Sequence, residues 1–226
     1  MGDNRSEPFE TPSASRTIAG FDAHCTALTV GADRVLLCRV AELERYVDRA
    51  ALLRADDPPE PPYWAHCWSG ARVLADRVPH GEGRVLEVGC GLGLPGVTAA
   101  RRGWQVVFAD RIPTPLTFVR ETLRANALAA AGLVVADMLA APWRGAFDLV
   151  LAAEVIYDRA AFAWLAAGLA GVLAPGGSIL LADAHRIDTA GFYDAARAVG
   201  LAWTREDVRV YEEGFPVTVS IVMMQR

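Results

Sequence analysis

Four carboxylates stand at the ends of four apolar runs: Glu87 inside 85–88, Asp110 after 105–109, Asp137 after 133–136 and Glu154 after 147–152. Behind the first run comes Gly89-Cys90-Gly91-Leu92-Gly93-Leu94-Pro95-Gly96. Glycines at this spacing let backbone approach a ligand that a Cβ would block. Gly91-x-Gly93-x-x-Gly96 fits the dinucleotide fingerprint, but the fingerprint alone is weak. Glu87 lies within the run, where a dinucleotide strand stays apolar, and it can accept from water or from the ammonium of a methionine moiety. Asp110 suits a ribose diol, and Asp137 suits an adenine amino group. These acids, with a hairpin after the last helix, favour S-adenosyl-L-methionine over NAD. Each acid also has a plainer reading: Glu87 as an arginine partner, Asp110 as a helix cap, Asp137 as a turn residue. Together they say more than singly, because ligands sit at strand carboxyl ends in parallel sheets.

The elements that must position them read as alternating strands and helices. Strands are predicted at 85–88, 105–109, 133–136, 147–152 and 178–182. Helices are predicted at 69–77, 95–102, 115–127, 160–173 and 190–199. Short, fully apolar strands between helices imply a parallel sheet covered on both faces. Segments 203–211 and 216–224 flank Glu212, Glu213 and Gly214 and read as a closing antiparallel hairpin, with Glu212 and Glu213 at a solvated tip. The fold class is α/β, a Rossmann-like seven-strand sheet with that C-terminal hairpin.

Residues 1–16 read as a loose polar arm. Runs 26–30 and 34–40 read as a β-hairpin, and 41–54 as a helical patch. The prolines of 55–62 separate an appendage at 1–60 from a main body at 61–226.

The 226 residues are 53% hydrophobic and 22% charged, with a net charge of −5. That is a globular composition, and its mildly acidic balance points away from nucleic acid as a partner. No lysine occurs, so Schiff-base and Walker-type lysine chemistry is excluded. Cys25, Cys38, Cys67 and Cys90 form no CxxC pair and no zinc spacing with the histidines, so no metal is expected. A reducing, cytoplasmic setting is expected, with no export signal and no membrane span.

The glycine turn Glu87-Val88-Gly89-Cys90-Gly91-Leu92-Gly93 resembles motif I of the class I, seven-strand S-adenosylmethionine-dependent methyltransferases. Glu154-Val155-Ile156-Tyr157 is similar to the D/E-x-x-Y signature of the seven-strand protein-lysine methyltransferases. The stretch Pro62-Tyr63-Trp64-Ala65-His66-Cys67-Trp68-Ser69-Gly70 resembles the entrance of bacterial and mitochondrial enzymes that methylate the electron-transfer flavoprotein β subunit. Asp183-Ala184-His185-Arg186 is close to a D-P-G-R segment of that subgroup and departs from it at two positions. The resemblance covers roughly residues 61–186.

It implies roles at the matched positions. Glu87, Gly89, Gly91 and Gly93, with Cys90 among them, line the methionine and ribose. Asp110 holds the ribose hydroxyls, with Arg111 beside the adenine, and Asp137 and Met138 border its ring. Trp68 covers the cofactor and Ala153 also borders it, and on the acceptor side Glu154 and Tyr157 are the catalytic residues. The implied acceptor is a protein lysine, and the product is S-adenosyl-L-homocysteine. The alternatives are a small-molecule N- or O-acceptor of nicotinamide type, or a cofactor-binding scaffold without turnover. Trp64 and Trp68 can supply cation–π surface or simply pack on the sheet edge. His185 can act as a base or be a solvated loop residue.

Overall fold

The computed structural model describes residues 14–48, 61–129, 132–138 and 143–226. Three antiparallel strands come first: β1 (Arg16–Ile18), β2 (Phe21–Val30) and β3 (Asp33–Val40). Gly31, at φ +57°, turns β2 into β3. The strands β4 (Arg84–Val88), β5 (Gln105–Asp110), β6 (Gly132–Val135), β7 (Phe147–Ala153) and β8 (Leu173–Asp183) follow. The last two are β9 (Ala202–Glu212) and β10 (Phe215–Gln225). The helices are α1 (Ser69–Arg77), α2 (Leu94–Arg101), α3 (Pro113–Ala125), α4 (Phe162–Val172) and α5 (Ala190–Ala198). Prolines in the first turn start α2 and α3, where a missing N–H goes unnoticed.

The main sheet has seven strands in the order β6-β5-β4-β7-β8-β10-β9. β4 to β8 pair in parallel, and β10 lies antiparallel between β8 and β9. From β4 the chain goes to β5 on one side, and β7 returns on the other. The switch point, where such sheets bind ligands, is therefore the carboxyl end of β4.

Side chains alternate between two cores, as the period of a strand demands. Val85, Phe108, Leu149 and Leu151 pack with Val73, Leu74, Val97, Phe118 and Val119 of α1–α3. Leu86, Val88, Val150 and Ala152 pack on the opposite face with Phe162, Leu165, Leu169, Phe192 and Ala196 of α4 and α5.

Some expectations change. Arg16 belongs to a paired strand and not to a loose arm. Within the helical patch, residues 41–48 form one 3-10 turn at Leu43–Tyr46, and 49–54 lie outside the described residues, as does most of the proline linker. The cysteines hold a pair that spacing did not reveal. Cys25 and Cys38 face each other across β2 and β3 and are joined as a disulfide, leaving Cys67 and Cys90 free. Among the described residues no helix is long and apolar enough to cross a membrane.

The N-terminal sheet lies on α2 and α3. Leu28, Val35, Leu37 and Val40 share the apolar cluster of Phe118 and Val119. Asn126 accepts from the Leu36 N–H at 2.9 Å and donates to the Leu36 carbonyl at 2.7 Å, as a strand neighbour would. The Cys38 N–H donates to Thr122 Oγ1 at 3.0 Å.

Candidate active site

The glycine turn follows β4 directly. Gly89, Gly91 and Gly93 all have positive φ, at 56°, 49° and 74°. A Cβ on Gly91 would stand 3.0 Å from the Trp64 carbonyl, so a glycine is needed there for the close approach of two backbones. Glu87 shares the α2 face with Val85. It is 2% exposed, and its Oε2 accepts the Gly96 N–H at 3.0 Å. Burial pushes its carboxyl well up, which that N–H opposes and the nearby Asp110 reinforces. Glu87 thus anchors the first turn of α2. Cys90 is buried beside the same two acids, and its thiol is held protonated, so it is no nucleophile.

Asp110 closes β5. Its Oδ2 accepts from the Gly91 N–H and its Oδ1 from the Ile112 N–H, both at 3.0 Å. Burial raises its carboxyl despite these donors. Arg111 and Asp137 are exposed, whereas Met138 is buried in the α4 core and meets Gly168 through its carbonyl.

Glu154 follows Ala153 at the end of β7, in a left-handed backbone at φ +55°. Such a conformation costs a non-glycine residue about 1 kcal/mol and persists where the surroundings enforce it. Here the Glu154 N–H donates to the Ala182 carbonyl at 2.9 Å, and the side chain is 8% exposed. Its Oε1 accepts the Gly70 N–H at 3.1 Å, in the first turn of α1. Its Oε2 lies 3.4 Å from both the Ala184 N–H and Arg186 Nε. Burial raises the Glu154 carboxyl, and Arg186 works against that. Tyr157 is 60% exposed.

A second glutamate reaches the same helix end. Glu212 accepts the Ser69 N–H at 3.0 Å and makes a short hydrogen bond with the Ser69 hydroxyl. Arg186 Nη2 donates to its two oxygens at 2.8 and 3.0 Å. Burial pushes Glu212 up, but Ser69 and Arg186 outweigh it and hold the carboxyl below its usual value. Glu212 is therefore not a solvated tip. The turn consists of Glu213 and Gly214 alone, both with positive φ. The alternation Val208, Val210, Glu212 along β9 was the available signal for the α1 side.

Trp68 Nε1 donates to the Tyr63 carbonyl at 3.0 Å, the His66 ring is tilted against it with centroids 4.4 Å apart, and the Arg186 guanidinium lies 4.4 Å from the Trp68 centroid. Trp64 instead packs on Phe118 at 5.2 Å and Phe21 at 5.5 Å, so it serves the core. His185 is no solvated loop residue. Its Nε2 lies 2.6 Å from the Ser220 hydroxyl and its Nδ1 3.1 Å from Asp183. Among the described residues no group of His, Cys, Asp or Glu is arranged to hold a metal ion.

Residues 85–177 match a family described as a methyltransferase domain. The chain is 29% identical over 136 residues to EEF1A lysine methyltransferase 3 of Mus musculus, covering 55% of this chain and 57% of that one. It is 31% identical over 139 residues to a ubiquinone biosynthesis O-methyltransferase of Xanthomonas campestris pv. campestris, covering 60% and 57%. The chain thus spans little more than half the length of these curated relatives. A solved TehB-like SAM-dependent methyltransferase of Corynebacterium glutamicum has TM-score 0.55 at 19% identity, over 81% of this chain and 97% of that one, and shows the shared fold.

S-adenosyl-L-methionine is the methyl donor that a methyltransferase domain implies. The residues at the turn fit it. Asp110 accepts the Gly91 N–H on Oδ2 and the Ile112 N–H on Oδ1, and a carboxylate has further lone pairs with which to accept a ribose hydroxyl. The three left-handed glycines carry no side chain at their own positions of the turn, and Cys90 and Leu92 between them are buried. Glu87 fits less directly, since it spends Oε2 on holding α2.

Proposed function

We propose that this protein is an S-adenosylmethionine-dependent methyltransferase that modifies a protein lysine side chain. The observation that carries this reading is Glu154, a buried carboxylate in a left-handed backbone at the carboxyl end of β7, within one side chain of the Trp68 wall through Arg186. The sequence similarity to a lysine methyltransferase over 55% of the chain supports it.

A bound sulfonium donor supplies the methyl group and an activated leaving group, so the protein's task is alignment. An ammonium has no lone pair, and a lysine acceptor must give up a proton before its nitrogen bonds to the methyl carbon. The ammonium is received between the Trp68 face and the Glu154 carboxylate and loses its proton there. Glu154, whose burial raises its proton affinity, accepts that proton. Asp110 and the glycine turn hold the donor, Trp68 walls the approach, and exposed Tyr157 lines the outer side.

Similarity to an O-methyltransferase over 60% of the chain favours a second reading, with a small-molecule acceptor. Incubation with methyl-labelled donor and cell lysate separates the two. Label in protein, recovered as methyl-lysine after hydrolysis, supports the proposal. Label confined to small molecules selects the second reading, and donor binding with no transfer leaves a scaffold.

A further inference from the structure

We propose that Arg186 is a tethered occupant of the acceptor's seat, and that the cationic side chain to be methylated must displace it. This rests on the reading of Glu154 as the acceptor-side residue. Arg186 is the junction of three elements. It leaves the loop after β8, pairs with Glu154 after β7 at 3.4 Å and with Glu212 at the end of β9 at 2.8 Å, and lies 4.4 Å from the centroid of the Trp68 ring. An aromatic face on one side and carboxylates on the other are the surroundings a desolvated cation needs.

Two features make Arg186 an occupant of this seat rather than a stitch. Both glutamates are already held without it. Glu154 takes N–H groups from Gly70 and Ala184, and Glu212 takes the N–H and hydroxyl of Ser69. Arg186 itself keeps a 37% exposed side chain, whereas the carboxylates it joins are 8% and 16% exposed. The acids are the fixed walls of the site, and the arginine is the part that reaches in from outside. While it is there, Glu154 has an ion pair on the oxygen that would take the acceptor's proton. Arg186 therefore sets specificity: only a cation that regains the Trp68 and carboxylate contacts can replace it, and a neutral acceptor cannot.

The test uses the full chain with Arg186→Ala, and Arg186→Gln as a second variant that retains length and a donor. The probes are N-ethylguanidinium and n-butylammonium. Binding is read by tryptophan fluorescence, with Trp68→Phe as the blank. Both variants should bind at least one cation about tenfold more tightly than the unaltered chain, the size of one desolvated cation–π or charge-assisted contact. The gain should vanish when Glu154→Gln is added. Equal affinity in all three chains, or a gain that survives Glu154→Gln, overturns the inference. Calorimetry with S-adenosylmethionine on the same samples keeps the two claims apart. Donor binding without a cation gain rejects the role of Arg186 and leaves the methyltransferase reading standing. A cation gain without donor binding rejects that reading and shows Arg186 guarding a cation seat of another kind.

Discussion

Glu154 and Glu212 sit at one helix end, yet they titrate in opposite directions. Burial dominates at Glu154 and raises it, whereas the Ser69 and Arg186 contacts win at Glu212 and lower it. A raised carboxyl favours the folded state most at low pH, and that contribution is lost as pH rises through the folded value. A lowered carboxyl favours folding above its unfolded value of about 4.3 and loses the contribution as pH falls through the folded value. Urea unfolding as a function of pH should therefore separate them. Relative to the unaltered chain, Glu154→Gln should become progressively more stable as pH climbs above about 4.3, whereas Glu212→Gln should lose stability as pH climbs toward about 4.3 and change no further above it. Two curves of the same sign would mean that the contacts of Arg186 are shared differently from those described. In activity, Glu154→Gln should abolish methyl transfer and leave donor affinity within about threefold, since it removes a proton acceptor and not a donor contact. Full activity in that variant would remove Glu154 from the site. Of these two residues, Glu154 was legible because an acid ending an apolar run is costly unless it faces a cleft. Glu212 was not, because a glutamate beside Glu213 and Gly214 has the composition of a solvated turn. Its partners, Ser69 and Arg186, are 143 and 26 residues away in the chain.

Helices and strands were the most legible part. The helix over Ser69–Arg77 agrees at both ends, and each core strand agrees to within one residue except β8, which starts five residues before the expected 178, because apolar runs and early-turn prolines are local signals. What remained illegible is how elements touch, and two glycines show it. A Cβ on Gly70 would run into the carboxylate and Cγ of Glu154, with the α1 backbone itself unstrained. Gly70→Ala should therefore keep the fold by circular dichroism, push the carboxylate aside and lower transfer as severely as Glu154→Gln; unchanged turnover would show that this contact is dispensable. Gly91→Val meets backbone instead, 3.0 Å from the Trp64 carbonyl, in a left-handed conformation that a β-branched residue resists. Donor binding should be lost by calorimetry, and retained micromolar binding would mean that the turn is not the donor cradle. Between β2 and β3 the pairing of Cys25 with Cys38 needs only their register, which spacing along the sequence does not display. Thiol titration of the unfolded, unreduced chain should find Cys67 and Cys90 alone, and all four cysteines only after reduction. Four thiols before reduction would place the chain in the reduced state that its cysteine usage first suggested.

At the scale of the molecule, the question is whether the N-terminal sheet is a cover or a separate unit, and Arg102 at the end of α2 decides it. Its guanidinium is almost fully enclosed, ion-paired to Asp33 of β3 at 2.8 Å. It also donates to the carbonyl of Ala75 at 3.2 Å, to that of Val30 at 3.4 Å and, in a short bond, to that of Val78. One side chain thus satisfies groups of the N-terminal sheet and of the segment leaving α1. Arg102→Ala would leave the partly exposed Asp33 without its ion pair and the buried carbonyls of Ala75, Val30 and Val78 without their donor. Leaving buried carbonyls without a donor costs about 1–3 kcal/mol, a sizeable part of a typical domain's stability. If residues 14–48 were a separate unit resting on the body, the loss would fall on that unit. Thermal unfolding would split, with an early step for the sheet and a later one near the original midpoint. The shared cluster of Leu28, Val35 and Leu37 with Phe118 and Val119 argues otherwise, because uncovering those rings and methyls would destabilise α2 and α3 as well. A calorimetric scan of Arg102→Ala should therefore show one transition at a lower midpoint, with calorimetric and van't Hoff enthalpies in agreement. Two resolved transitions would make the sheet an independent module. That outcome would free it to act as a substrate-selecting attachment, with no part in holding the helices beneath the donor turn.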